Sequence, residues 1–197
     1  VSFPGKRKEV FPEEVMILEV IFSTLDLEGR PNFAPMGVKW GEEELTVRPF
    51  KNTQTFRNLQ DTGYGVACIT DDVLAFVNSA LYHAPLPYFP ARSIPGVVFQ
   101  GTCYWRELKV RRIEEAEERA EIKCQVMDRG FKRDFLGFNR ARNAVIEATI
   151  LATRLQFIPD EEVRDSLNLL AQIVQKTGDE REQIAFELVR QYFLKRK

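Results

Sequence analysis

Two hydrophobic rhythms divide the chain. Over the first two thirds, apolar residues fall in short runs or alternate with polar ones, as strands require. Val15 to Phe22 is rich in Val and Ile and ends at Ser23-Thr24. Glu28-Gly29, within Asp26 to Arg30, signals a turn, and Phe33 to Trp40 returns as the second arm of a hairpin. A polar turn at Gly41 to Glu44 precedes a third alternating strand, Leu45 to Phe50. Gly65 to Thr70 has the length of a buried strand, and Val97 to Ile113 with Arg119 to Met127 makes a long antiparallel pair across the acidic turn Glu114 to Glu118. Between them, Tyr82 to Gly96 carries Pro85, Pro87, Pro90 and Pro95. That density of proline bars regular helix and central strand and predicts a surface loop or lid.

After Gly137 the period lengthens to that of helix. Phe138, Ala141, Val145, Ala148, Ala152 and Leu155 share one stripe. Pro159-Asp160 ends that helix and opens another with Val163, Leu167, Leu170 and Val174 on its apolar face. Thr177-Gly178-Asp179 is a stop and restart, and Ile184, Leu188 and Tyr192 line a third helix that closes on Lys195, Arg196 and Lys197, where cations oppose the helix dipole. Strands first and helices after them make the class α+β, divided as residues 1–136 and 137–197.

Composition narrows the functional classes. The 197 residues are 44% hydrophobic, enough for a sizeable core. A net charge of -1 gives no whole-molecule attraction to nucleic acid or anionic membrane. No apolar run approaches the roughly 20 residues that span a bilayer, and the short charged segment Val1 to Glu9 does not read as a secretory signal; a soluble cytoplasmic protein is expected. Cys68, Cys103 and Cys124 are too few and too scattered for a disulfide framework or a zinc site. With one histidine, His83, a His-based metal cluster within one chain is excluded.

Three segments hold candidate chemistry. In the early hairpin, Ser23 and Thr24 place two hydroxyls at a strand end, and the return strand carries Asn32, Ala34, Pro35, Met36 and Gly37. Proline removes a ladder donor and glycine uncovers main chain, so the strand suits either a ligand-free edge or a flat ligand meeting the backbone. Arg48, Lys51, Asn52, Thr53, Thr55, Arg57 and Asn58 follow, a set of donors that a phosphate dianion needs. If a helix opens after Lys51, Thr53 is its N-cap and free backbone N–H groups join the anion site; a polar surface turn is the alternative. In the third segment Asn139 caps a helix whose first turn holds Arg140 and Arg142, where positive charge is unfavourable. An anion would offset that cost, with Arg140 the better phosphate candidate and Arg142 the better partner for an acidic side chain. Asp71-Asp72 reads as a turn with one helix cap.

Together these segments resemble a small archaeal family of uncharacterised proteins related to flavin reductases and built on the FMN-binding split β-barrel. The resemblance rests on Ser23-Thr24, on Gly29 to Gly37, on Arg48 to Asn58, and on Thr70 to Asp72. It continues through Asn139-Arg140-Ala141, Ile146-Glu147-Ala148 and Ala152-Thr153-Arg154. It implies FMN as cofactor, with Asn32 to Gly37 beside the isoalloxazine and Lys51 to Asn58, with Arg48, at the ribityl phosphate. It also implies a homodimer with FMN at or near the interface, a small-molecule redox partner, and flavin reductase-like oxidoreductase activity. Asn52 stands where the family tends to have glycine, and Phe56 where it tends to have tyrosine. A non-enzymatic FMN sensor or carrier, with the helices as partner-binding region, is the alternative function. A phosphorylated cofactor such as pyridoxal phosphate is a third reading.

Overall fold

The computed structural model describes residues 16–195. Val15, the segment Val1 to Glu9, and the terminal Arg196 and Lys197 lie outside the described residues. The first hairpin joins β1 (Met16–Leu25) to β2 (Pro31–Trp40), in register from Met16↔Trp40 to Leu25↔Pro31. Its turn is held by the Asp26 carboxylate, which accepts from the N–H groups of Glu28 and Arg30, and by Gly29 at φ 78. Then come β3 (Glu44–Val47), α1 (Gln54–Thr62), β4 (Tyr64–Ile69), α2 (Val73–Leu81), β5 (Tyr88–Pro90), β6 (Val97–Phe99), β7 (Tyr104–Glu115) and β8 (Ala120–Phe131). Six strands close an antiparallel barrel in the order β1-β2-β3-β8-β7-β4. Its interior is filled by Val20, Phe22, Val38, Leu45, Leu108 and Ile122, and α1 presses Phe56 and Leu59 into the same core.

The outer face of β1 and β4 is the second core. Ile21, Val66 and Cys68 pack there against Phe76 of α2 and against Val98 and Phe99 of β6. Three helices follow, α3 (Arg140–Ala152), α4 (Asp160–Thr177) and α5 (Glu180–Lys195), near the expected boundaries. Their core includes Val73, Val77 and Leu81 from α2. Burial pushes the thiols of Cys68 and Cys124 up to about 12, so neither is a ready thiolate.

Four features differ from the sequence expectation. α2 is apolar over most of its length because both its faces are covered, Ala75 and Phe76 by the barrel side and Val73 and Val77 by the C-terminal helices. Val97 to Ile113 is two strands, broken at Gly101, where a Cβ would stand 2.4 Å from the Phe99 ring. The proline-rich loop contains β5, paired with β6, and is pinned by Glu107. That carboxylate is fully buried and accepts from the backbone N–H groups of Arg92 and Ser93 and from Trp105 Nε1. Phe138, expected on the first helical stripe, precedes the helix and is 98% exposed. Among the described residues no helix is long and apolar enough to cross a membrane.

Candidate functional site

β2 pairs with β1 along its whole length, but with β3 only over Val38–Trp40. On that second side, residues 31–37 have no strand partner among the described residues. Pro35 belongs on such an edge, because it has no N–H to offer a neighbour. In the place of a partner strand, the chain leaving β3 runs back toward the start of β2 and enters α1. Thr53 caps that helix: its Oγ1 accepts from Phe56 N at 3.3 Å and donates to Phe50 O at 2.7 Å. Asn32 Nδ2 donates to Thr55 Oγ1 at 3.0 Å, which ties the helix start to the open edge.

Around this edge lies a cleft of about 970 Å³, at the upper end of the roughly 300–1,000 Å³ usual for small-molecule sites. Asn32, Ala34, Pro35, Met36 and Gly37 line one side, and Arg48, Asn52, Thr53 and Thr55 line another. Phe76, Ser79 and His83 enter from α2 and its end, and Thr149, Thr153, Arg154 and Phe157 from the end of α3 and the turn that follows it. The hairpin and the threonine-bearing turn, far apart in sequence, thus share one concave surface.

The other expected residues lie elsewhere. Ser23 and Thr24 are buried beneath the site: Ser23 Oγ donates to Val97 O, and Thr24 Oγ1 accepts from Asn58 Nδ2 at 2.9 Å. Asn58 also accepts from Gln54 Nε2, so this relay fixes α1 on the hairpin rather than meeting a ligand. Lys51 is not on the cleft wall; its Nζ is 3.4 Å from Glu115. Arg48 lines the cleft but spends its guanidinium on Glu121. Asn139 and Arg140 stand at the opposite end of α3. Asn139 caps that helix, accepting from Arg142 N and donating to Thr177 O, and Arg140 is exposed. Arg142 pairs with Glu182 and Asp71, in keeping with the acidic partner expected for it.

Gly37 is less bare than expected. A Cβ there would stand 3.0 Å from Ile17 Cγ2 and 3.2 Å from Glu19 Oε1, so side chains of β1 lean over the glycine. Burial, then the nearby charge of Glu147, raises the Glu19 carboxyl above its ordinary range, with Arg154 acting in the other direction. Glu19 is also accessible at the rim, so water tempers that rise.

Sequence reasoning missed the contribution of α3, because its buried stripe drew attention away from the adjoining Thr149, Thr153 and Arg154. It also missed Arg119, whose guanidinium lies 3.7 Å from the Phe50 ring centroid and donates to Arg48 O. The signal for α3 was a pair of threonines four apart, hence on one face, followed at once by an arginine.

A search of curated proteins finds no match. An FMN-bound protein of Methanosarcina mazei, assigned to DUF447, superposes with a TM-score of 0.78 at 24% identity, covering 89% of this chain and 94% of that one. An FMN-binding protein of Thermus thermophilus with bound p-hydroxybenzaldehyde gives 0.51 at 12% identity, over 67% of this chain and 81% of its own. The styrene monooxygenase flavin reductase of Pseudomonas putida S12 gives 0.50 at 13%, over 57% and 78%. These likenesses establish the fold as the split barrel of flavin-binding proteins. Two family models, the N-terminal domain of the protein of unknown function DUF447 and its C-terminal counterpart, match residues 18–133 and 139–191. The chain therefore belongs to the DUF447 family.

Proposed function

We propose that the cleft binds FMN and that the chain is an FMN-dependent oxidoreductase, passing hydride or electrons between small molecules. One observation carries this reading: an unpaired strand edge runs beside the N-terminus of α1 within a single cleft. A helix N-terminus offers free N–H groups and the positive end of the dipole to a phosphate. The segment Asn52 to Thr55 would hold that phosphate, with Arg119, a cation of the cleft wall not taken by a carboxylate, in support. Main-chain groups of residues 32–37 would meet the pyrimidine edge of the ring. Family membership beside an FMN-bound relative, and a fold shared with a flavin reductase, support the same assignment.

Bound FMN supplies acceptance of a hydride and release of electrons singly or in pairs. The chain's own residues do the rest. The Thr24–Asn58–Gln54 relay and the Asn32–Thr55 bond hold the phosphate turn in register with the edge. Phe76 and the end of α3 narrow the cleft and exclude water. The proline-rich loop, rooted on Glu107, stands next to His83 and would select what approaches the ring. Ile17, 62% exposed, sits at the cleft rim. Apolar surface there suits a second copy of the chain closing the site, so we expect a homodimer. The three free, buried cysteines suit a reducing cytoplasm.

Enzymatic turnover is tested by mixing FMN-loaded protein anaerobically with NADPH or NADH, then with an electron acceptor. Oxidoreductase function predicts bleaching of the flavin and its return over repeated cycles. Bleaching by dithionite alone, with no response to either nicotinamide or to a reduced deazaflavin, would favour the carrier reading. Leu169 and Leu194, exposed on the C-terminal helices, would then be the partner surface.

A further inference from the structure

We propose that the flank of the cleft formed by His83, Arg154 and Phe157 is a binding subsite for a planar aromatic carboxylate, distinct from the phosphate subsite. This rests on the flavin reading above, since the ligand would lie beside the bound ring.

The sheet order separates the two subsites. The phosphate segment, residues 52–55, follows β3 and lies on the β3 side of β2. Glu19 belongs to β1, on the other side, where it pairs with Gly37. Arg154 is close enough to Glu19 to act on its charge. Arg154 thus belongs with the Glu19–Gly37 end of the cleft, whereas the start of α1 is tied to Asn32 at the other end of β2.

Arg154 is also uncommitted. The other arginines of the helical part that line a seam are taken: Arg142 by Glu182 and Asp71, Arg181 by Asp72. Among the described residues the Arg154 side chain makes no hydrogen bond or ion pair, although it lines the cleft and is exposed. Attraction to the helix C-terminus explains a cation there, worth about 0.3–1 kcal/mol. It does not explain a guanidinium facing a concave surface together with an exposed phenyl group. Phe157, 76% exposed, lines the same wall. An aromatic ring covered by a second ring gains burial and stacking, and a guanidinium beside it offers a two-pronged match to a carboxylate.

His83 supplies the third side chain. It follows the C-cap of α2 with φ 49, a left-handed conformation that a glycine would adopt freely. A side chain at that position carries a conformational cost of roughly 1 kcal/mol. His83 is among the residues that line the cleft, and its side chain is exposed there. The ionised side chains on the wall are Arg48, Arg119, Arg154 and Glu19, and Glu121 already pairs with Arg48. Cations outnumber the single acid on this wall, so it favours an anion, and the exposed ring of Phe157 favours an aromatic one.

The test titrates FMN-loaded protein with 4-hydroxybenzoate and with the neutral 4-hydroxybenzamide. Binding is read by calorimetry and by the shift of the flavin visible spectrum. The proposal predicts that the acid binds at least tenfold more tightly than the amide and perturbs the spectrum. Arg154→Ala should bring the acid down to the level of the amide, Arg154→Lys should restore part of the difference, and FMN affinity should stay within threefold in both. Equal binding of acid and amide, or an Arg154→Ala variant that binds the acid normally, would overturn it. So would loss of FMN from Arg154→Ala with the fold intact, which would assign the guanidinium to the cofactor. FMN titration comes first and keeps the two readings apart: a chain that refuses FMN ends both, whereas one that takes FMN and ignores the acid ends this proposal alone.

Discussion

Thr53→Asp is expected to weaken FMN binding by a hundredfold or more while leaving the melting temperature within a few degrees of the parent. Aspartate is as good an N-cap as threonine, so α1 keeps its start and the barrel end keeps Phe56 and Leu59. The new carboxylate, however, would stand where a phosphate dianion is to be received. It would replace an attractive site with like-charge repulsion and compete for the same backbone N–H groups. Losing charge-assisted hydrogen bonds worth about 1.5–3 kcal/mol, plus that repulsion, corresponds to at least two factors of ten. Thr53→Ala makes the reverse comparison. It removes the cap, about 1 kcal/mol of stability, but leaves the N–H groups free, so its effect on FMN should be the smaller. Calorimetric titration and thermal melts of both variants check this. Undiminished FMN affinity in Thr53→Asp would place the phosphate elsewhere.

Asp71→Asn is expected to cost about 1–3 kcal/mol of stability at neutral pH and to flatten the acid limb of the stability curve. The Asp71 carboxylate joins three parts of the fold. It accepts from Arg133 Nη1 at 3.1 Å and from Leu136 N at 3.3 Å, both beyond β8, and stands 3.4 Å from Arg142 Nη1 on α3. Arg142 in turn bonds Glu182 of α5 at 2.9 Å. An asparagine would turn an amide N–H₂ toward these donors and strand part of two guanidinium groups. Solvent reaches Arg133, whose side chain is 39% exposed, so the cost falls below that of a sealed pair. Burial by itself would raise the Asp71 pKa. The hydrogen bonds from Arg133 and Leu136 and the charges of Arg133 and Arg142 outweigh it and hold the group below its usual 3.8. The native carboxyl therefore stays ionised where the unfolded one takes up a proton. Its stabilisation is present above the unfolded value near 3.8 and is lost as pH falls through the lower native one. Urea midpoints of parent and variant should differ most near neutrality and converge as pH falls below 3.8. Parallel curves would mean that other groups control acid unfolding.

These two residues also mark what was legible in the sequence. Thr53 was readable because an N-cap is a local device: a hydroxyl, the helix it starts and the donors it frees lie within four residues. The hairpin, with its turn residues and its Pro35-Met36-Gly37 edge, was local in the same way. The role of Asp71 was only half visible, since Asp72 is the cap foreseen for that pair while Asp71 depends on Arg133 and Arg142, far along the chain. The cleft itself is a long-range object. Whether the near or the far end of α3 faces it depends on how the helix docks, which its periodicity does not encode, so Asn139 and Arg140 drew the attention that Thr153 and Arg154 occupy in space. Ser23, Thr24 and Asn58 look like ligand groups by residue type. Burial turns them into the frame that holds the site.

In the proposed complex the α1 N-terminus receives a phosphate while the open edge of β2 receives a flat ring. Parallel calorimetric titrations with FMN and with riboflavin, which shares the ring and lacks the phosphate, test both halves at once. One FMN per chain is expected, with riboflavin binding at least thirtyfold weaker, roughly 2 kcal/mol, and the gap between them largely closed in Thr53→Asp. Equal affinity for the two flavins, or no uptake of either, would contradict it.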